Sequence, residues 1–392
     1  MKDGQSRFSS RTGGPSGPNP VSLLLQEKRR QNAKILDLTE SNPTKCGFRF
    51  YEGKLTPFSD AKNLSYDPDP RGLLEARQAV CRYYAEKGAP LSPEQVFLTS
   101  GTSEAYGFLF RLLADAGDEV LAAEPGYPLF DTLAELHDLK LKKFRSVYRE
   151  AWHWDADSLE TAFGARTKAL LLVHPNNPTG HFISAEERRS VNAACLRHDS
   201  ALIVDEVFLD YAWGLSTPPD SFAGQNEVLT FTLSGISKIL GLPQMKLSWI
   251  VVSGPEKLRA EAMHRLELIA DAHLSVNTPA QRALPAWMGN RAAIVNEING
   301  RVRGNFEYLT EKTRALPGAR LLGTEGGWYA LLQGPVSLSD ESFALELLQH
   351  KDVLVYPGYF FDLPEDNFLV LSLLPPPELF QEGARRLCEG LL

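Results

Sequence analysis

The strongest constraint on the fold is an alternation of helical and strand-like text through the middle of the chain. From about residue 76, ARQAVCRYYAEKG gives way to QVFLTSG, SEAYGFLFRLLADAG and DEVLAAEP. The pattern resumes with TKALLLVHP (167–175), AEERRSVNAACLRHD (185–199), ALIVDE (201–206) and EVLTFTLSG (227–235). The helical stretches repeat apolar residues at the helical period, whereas the strand-like runs are short, continuous and apolar. Runs of that kind suit strands buried on both faces, as in a parallel sheet covered by helices. The sequence therefore predicts an α/β fold with a mostly parallel sheet.

A second helical stretch, roughly Thr278 to Ala315, offers Gly289 and Gly300 as places to bend and puts a domain boundary near 285–290. Beyond it, ARLLG, WYALLQ, DVLVYPG and NFLVLSLL read as strands of a smaller α+β unit that ends in a helix from Pro377. The expected organisation is a disordered tail over 1–20, an N-terminal segment over 21–50, a large domain over 51–287 and a small C-terminal domain over 288–392. The first twenty residues lack an apolar stretch and are broken by Gly and Pro, so neither a signal peptide nor a membrane helix is expected there. Lysine and arginine (41) are outnumbered by aspartate and glutamate (49), giving a net charge of −8. Such a balance offers no field for phosphate backbones or anionic lipid, so nucleic acid and membrane are not expected partners. Four scattered cysteines, with no CxxC or Cys/His cluster, predict no metal site and suit a reducing, cytoplasmic compartment.

Open parallel sheets bind ligands beyond the carboxyl ends of their strands, which directs attention to the residues there. After QVFL comes Thr99-Ser100-Gly101-Thr102-Ser103-Glu104. This is either a phosphate cradle at a helix N-terminus or a simple capping box closed by Glu104. After LLLV, the turn His174-Pro175-Asn176-Asn177-Pro178-Thr179-Gly180 presents an asparagine. After ALIV, Asp205 stands where desolvation is costly unless a cation pairs with it. Ser237-Lys238 follows FTLSGI, and a lysine there is by itself only a solvated loop residue.

Taken in order, the hydroxyl-glycine turn, Pro125-Gly126-Tyr127-Pro128, Asn-Pro-Thr-Gly, Asp-Glu-Val and Ser-Lys resemble the pyridoxal-phosphate enzymes of fold type I, specifically the class I/II aminotransferases. The resemblance runs from roughly Leu36 to the C-terminus, with 28 residues from Asn177 to Asp205 and 33 from Asp205 to Lys238. It implies pyridoxal 5'-phosphate as cofactor, bound as a Schiff base on Lys238, which then serves as the proton carrier. Asp205 is implied to pair with the ring nitrogen, Asn177 to bond the phenolic oxygen and Tyr127 to stack on the ring. Ser100, Gly101, Thr102, Ser237 and Lys246 are implied to hold the phosphate. Tyr66, in Tyr-Asp-Pro-Asp-Pro-Arg-Gly, is implied to reach the phosphate of a neighbouring subunit in a homodimer with shared active sites. The expected activity moves an amino group between an amino donor and a keto acid. The alternatives are a lyase or decarboxylase on the same scaffold and, in a different class, an inert binding protein of the same fold.

The chain departs from the family pattern in several places. Phe208 replaces a tyrosine, with Tyr211 or a water as substitute donor. Lys246 replaces an arginine, leaving a point charge where a planar fork is usual. Gly235, three residues before the lysine, replaces a hydroxyl, with Ser234 and Ser237 as compensating neighbours. Val370 replaces the arginine that grips the substrate α-carboxylate. Either Arg71, Arg301 or Arg303 takes over, or the substrate has no carboxylate at that point. Glu40, in Leu-Thr-Glu-Ser-Asn-Pro-Thr, then meets a substrate amine or hydroxyl, or simply faces solvent. Tyr359, Phe360 and Phe361 make the pocket aromatic. Trp328 lines it or is buried, and Lys28-Arg29-Arg30 reads as a solvated helix face.

Overall fold

A computed structural model describes residues 8–12, 17–49, 53, 55–217, 219–314, 316–335, 339–363 and 367–391. Much of the expected tail, residues 1–7 and 13–16, lies outside the described residues. Residues 10–12 form a 3-10 turn in which Arg11 Nε donates to Asp138 at 2.7 Å.

Asn19 caps the first helix by accepting from the Ser22 N–H at 2.8 Å, and Pro20 occupies the first helical position, where a missing N–H costs nothing. This helix, α1 (Pro20–Arg30), carries the basic run, and here the reading of a solvated face is corrected for one residue. Lys28 is buried and donates to the Gln349 carbonyl and to Asp352, both at 2.7 Å. Arg29 and Arg30 remain exposed.

The chain then runs through β1 (Leu36–Asp37), α2 (Leu74–Glu86), β2 (Val96–Thr99), α3 (Thr102–Leu113), β3 (Glu119–Glu124), α4 (Leu129–Leu136), β4 (Lys140–Tyr148), β5 (Trp152–Trp154), α5 (Ala156–Ala162), β6 (Thr167–Val173) and α6 (Ala185–Arg197). It continues with β7 (Ala201–Asp205), β8 (Thr230–Gly235), α7 (Ile236–Ile239), β9 (Ser248–Ser253), α8 (Glu256–His273), α9 (Thr278–Met288) and α10 (Arg291–Thr313). Strands β2 to β9 form one sheet in the order β2-β9-β8-β7-β6-β3-β4-β5, in which β3, β4, β6, β7 and β8 run parallel. Strand β9 runs antiparallel to β2 and β8, and β5 antiparallel to β4. Side chains alternate across the sheet as a two-residue period requires. Phe97, Ile203, Phe231 and Ile250 share one apolar cluster with α3 and α8 residues, while Leu98, Trp249 and Val251 join another with α2 and α9 residues.

The stretch from Thr278 breaks at Gly289-Asn290, between α9 and α10, whereas Gly300 continues the helix unbroken. Downstream lie β10 (Arg320–Leu321), β11 (Tyr329–Gln333), α11 (Asp340–Lys351), β12 (Val353–Leu354), β13 (Tyr356–Pro357), β14 (Phe368–Ser372) and α12 (Pro377–Gly390). A four-stranded antiparallel sheet has the order β10-β11-β14-β13, and β1 pairs in parallel with β12. The N-terminal segment is thereby sewn to this smaller unit. Ser372 donates through its amide to the Leu38 carbonyl and through its hydroxyl to the Glu40 carbonyl, both at 2.7 Å.

Candidate active site

The carboxyl ends of β6, β7 and β8 open into a cavity of about 300 Å³ whose walls include Thr102, Tyr127, Asn177, Asp205, Ser237 and Lys238. Lys238 sits on the short helix α7 that follows β8 directly. Its Nζ is 4.9 Å from the Trp328 ring centre and 5.4 Å from that of Phe208. The protein packed around it pushes its amine down to about 8, against the opposing pull of Asp205. Asp205, the last residue of β7, is 6% exposed. It accepts the Tyr106 hydroxyl at 2.7 Å and the Val207 N–H at 3.0 Å. Burial pushes its carboxyl up to about 6, although both hydrogen bonds favour the charged form.

Asn177 is buried, and its side-chain oxygen has no hydrogen-bond partner among the described residues. The residue lines the cavity, and its side-chain amide carries both an acceptor and a donor. The turn carrying it is pinned by Gly180, whose φ is +69° and on which a Cβ would overlap Thr324 Oγ1 and the Gly326 carbonyl. That contact brings the turn against the loop leading to Trp328.

A buried ionic cluster holds the same junction from behind. His181, 6% exposed, lies 3.0 Å from Glu187 on α6 and 3.3 Å from Glu325 on the loop. Burial pulls its pKa down, but the two carboxylates overcome this and raise it to about 9. Burial raises Glu187 and His181 lowers it, with a net result of about 2. Neighbouring His174 is pushed down to about 3 by burial and stays neutral.

Not every expected residue reaches the cavity. Thr102 and Ser237 line it, and Gly101 precedes Thr102 at the start of α3. Ser100 lies outside the lining, and its amide donates to Glu104 at 2.7 Å in a local capping contact. Lys246 is exposed, has a φ of +52° and is absent from the lining. Tyr66 is 69% exposed and also outside it. Tyr127 lines the cavity, edge-on to Phe130 at 5.6 Å.

The departures resolve as follows. Phe208 is a cavity wall packed on Trp328 at 5.2 Å, and Trp328 itself is fully buried. The Tyr211 hydroxyl donates to the Lys238 carbonyl at 2.6 Å and so acts on the lysine's backbone. Ser234 turns away to the Glu206 carbonyl at 3.4 Å. Arg71 is held by Glu94 and Glu267, both at 2.7 Å. Arg301 is held by the Cys46 and Leu374 carbonyls, and Arg303 by that of Trp213. None of the three lines the cavity. Val370 is fully buried in β14 opposite Leu331 and Tyr356. Phe360 and Phe361 line the cavity, whereas Tyr359 is 42% exposed and donates to Glu341 at 2.9 Å. Glu40 and Asp37 line an adjoining cavity of about 370 Å³ that shares Ser41, Lys238 and Tyr356 with the first.

Sequence reasoning overlooked Tyr106, Ser248, Ser41, Tyr329 and Tyr356, each of which touches the site from another element. The residues present fit pyridoxal phosphate. A buried amine and carboxylate face one cavity, an asparagine whose side-chain oxygen is unpartnered lines it, and Thr102 and Ser237 bring hydroxyls to it from the first turns of helices, where phosphate is favoured, with Ser248 beside them on β9.

Such a site at the carboxyl edge of an eight-stranded α/β sheet defines a fold type I pyridoxal-phosphate enzyme. The model for aminotransferase class I and II matches residues 50–387, and the chain belongs to that family. It is 27% identical over 365 residues to an alanine aminotransferase of Mycobacterium tuberculosis, covering 91% of this chain and 85% of that protein. It is 26% identical to the glutamate-pyruvate aminotransferase AlaA of Escherichia coli, covering 89% of each. The solved alanine aminotransferase from Pyrococcus furiosus superposes with a TM-score of 0.88 at 25% identity, over 98% of this chain and 99% of that one. The protein is accordingly a pyridoxal-phosphate-dependent aminotransferase, transferring an amino group between an amino donor and a keto acid.

Proposed function

We propose that Lys238 is the residue that binds the cofactor and moves the proton, and that the amino donor is a bulky apolar one without a second carboxylate. The single observation carrying the first part is the Lys238 and Asp205 pair buried in one cavity that Asn177 also lines. Bound pyridoxal phosphate supplies an electron sink that acidifies the donor's C–H bond. The lowered pKa leaves part of the Lys238 Nζ population neutral near pH 7, so it is able to take that proton. Asp205, fixed at both oxygens by Tyr106 and Val207, presents its charge to a protonated ring nitrogen. Tyr127 and Asn177, which line the same cavity, would help to hold the ring.

The donor class is supported by the walls. Tyr329, Tyr356, Phe360 and Phe361 line the cavity with apolar surface, and Asp37 with Glu40 in the adjoining cavity would repel a distal carboxylate. A homodimer is supported by the exposed apolar run Leu55, Phe58, Leu64 and Tyr66, which a second copy would cover. A cytoplasmic setting is supported by four cysteines that remain free thiols. Among the described residues no helix is long and apolar enough to cross a membrane.

The test follows the visible absorbance of the holoenzyme when single donors are added without a keto acceptor. Phenylalanine, leucine and arylalkylamines are expected to bleach the band faster than aspartate or glutamate, and Lys238→Ala is expected to lose the reaction. Faster bleaching by dicarboxylic donors overturns the donor class. Turnover that persists in Lys238→Ala overturns the role of the lysine, and sustained product without acceptor favours a lyase.

A further inference from the structure

Gly235 and Ser248 face each other across β8 and β9. A Cβ built on Gly235 would overlap Ser248 Oγ, lie 2.8 Å from Ser248 Cβ and 3.0 Å from the Leu247 carbonyl. The space that a side chain at position 235 would fill is therefore already taken by the hydroxymethyl group of the opposite strand. Ser248 is 1% exposed, yet it lines the cavity with Thr102 and Ser237, and its hydroxyl makes no hydrogen bond among the described residues. A hydroxyl lining the cavity in this way is available to donate to a ligand oxygen. Of the two sequence neighbours able to compensate, Ser234 is committed to the Glu206 carbonyl, while Ser237 lines the cavity beside Ser248.

We propose that Ser248 donates its hydroxyl to the cofactor phosphate, so that a contact made from the position three before the lysine in the family pattern arrives in this chain from the adjacent antiparallel strand. The proposal rests on reading the Lys238 cavity as the cofactor site. It also accounts for Gly235: with serine at 248, no side chain fits at 235 without displacing it. The hydroxymethyl group on β9 thus occupies the space that a side chain at 235 on β8 would take.

The experiment measures dissociation constants of the apoenzyme for pyridoxal phosphate and for pyridoxal, which lacks the phosphate, by absorbance titration. Thermal midpoints of the apo forms report folding. Ser248→Ala and Ser248→Gly are expected to weaken pyridoxal phosphate about tenfold or more, the scale of one hydrogen bond to a charged group, while leaving pyridoxal unchanged. Gly235→Ser alone is expected to lower the thermal midpoint by overpacking. Gly235→Ser combined with Ser248→Gly is expected to restore both the midpoint and the phosphate preference. Equal weakening of the two ligands in Ser248→Ala overturns the proposal, because Ser248 then only shapes the wall. A folded double variant no better than Ser248→Gly also overturns it. If the wild type takes up neither ligand, the reading of the cavity itself fails, which is a separate result.

Discussion

Replacing His181 by glutamine removes the cation held between Glu187 and Glu325, and the structure gives the size and the pH dependence of the loss. The folded-state pKa of about 9 exceeds the ordinary 6.5. At about 1.4 kcal/mol per pKa unit, the raised value corresponds to about 3 kcal/mol of stability. The sign follows from the direction of the shift. A raised pKa means that the folded state binds the proton more tightly, so the contribution is complete below the unfolded value of 6.5 and disappears as pH rises through 9. No discount for solvent is needed, since His181 is 6% exposed. Above pH 9 the wild-type imidazole is neutral and glutamine imitates it. Unfolding free energies of both proteins from urea titrations should therefore differ by about 3 kcal/mol at pH 6 and converge by pH 10. A difference that stays constant across that range would refute the reasoning, because it would mean that size and shape at position 181, and not charge, set the cost.

Two further outcomes follow from the same geometry. Tyr106→Phe deletes the hydroxyl that holds one Asp205 oxygen, and the dissociation constant for pyridoxal phosphate should rise about tenfold; a value within about twofold of the wild type would show that Asp205 needs no such support. Leu64 is 91% exposed, and if a second copy buries it, Leu64→Asp forfeits roughly 1.5–3 kcal/mol of apolar burial. Sedimentation velocity should show the variant dissociating at concentrations where the wild type stays dimeric, and identical profiles would remove the 55–66 face from the interface.

What could be read from the sequence was what the sequence stores locally. Runs such as ALLLV and ALIVD announce strands because both of their faces are buried, and the turns that follow them carry Asn177 and Asp205 within a few residues of the strand end. Strand β4, written KLKKFRSVY, carries four cationic side chains, lacks a continuous apolar run and was passed over. The missed site residues share one property: their place is fixed by pairing. Ser248 reaches the cavity because of the β8 and β9 register, and Tyr106 reaches Asp205 across 99 residues of sequence. The replacement arginines failed for a related reason. Each was chosen by residue type, and each spends its donors on a partner that only the folded chain brings near.

The pairing of β1 with β12 divides the labour of the cavity in a way that the chain order conceals. Ser41 follows a strand that belongs physically to the smaller unit, alongside Tyr329, Tyr356, Phe360 and Phe361, whereas Asp205 ends a strand of the large sheet and Lys238, Asn177 and Thr102 lie a few residues beyond its strands β8, β6 and β2. If the proposed roles hold, substitutions at Tyr329, Tyr356, Phe360 or Phe361 change the wall that the smaller unit contributes while leaving Lys238 and Asp205 on the other unit in place.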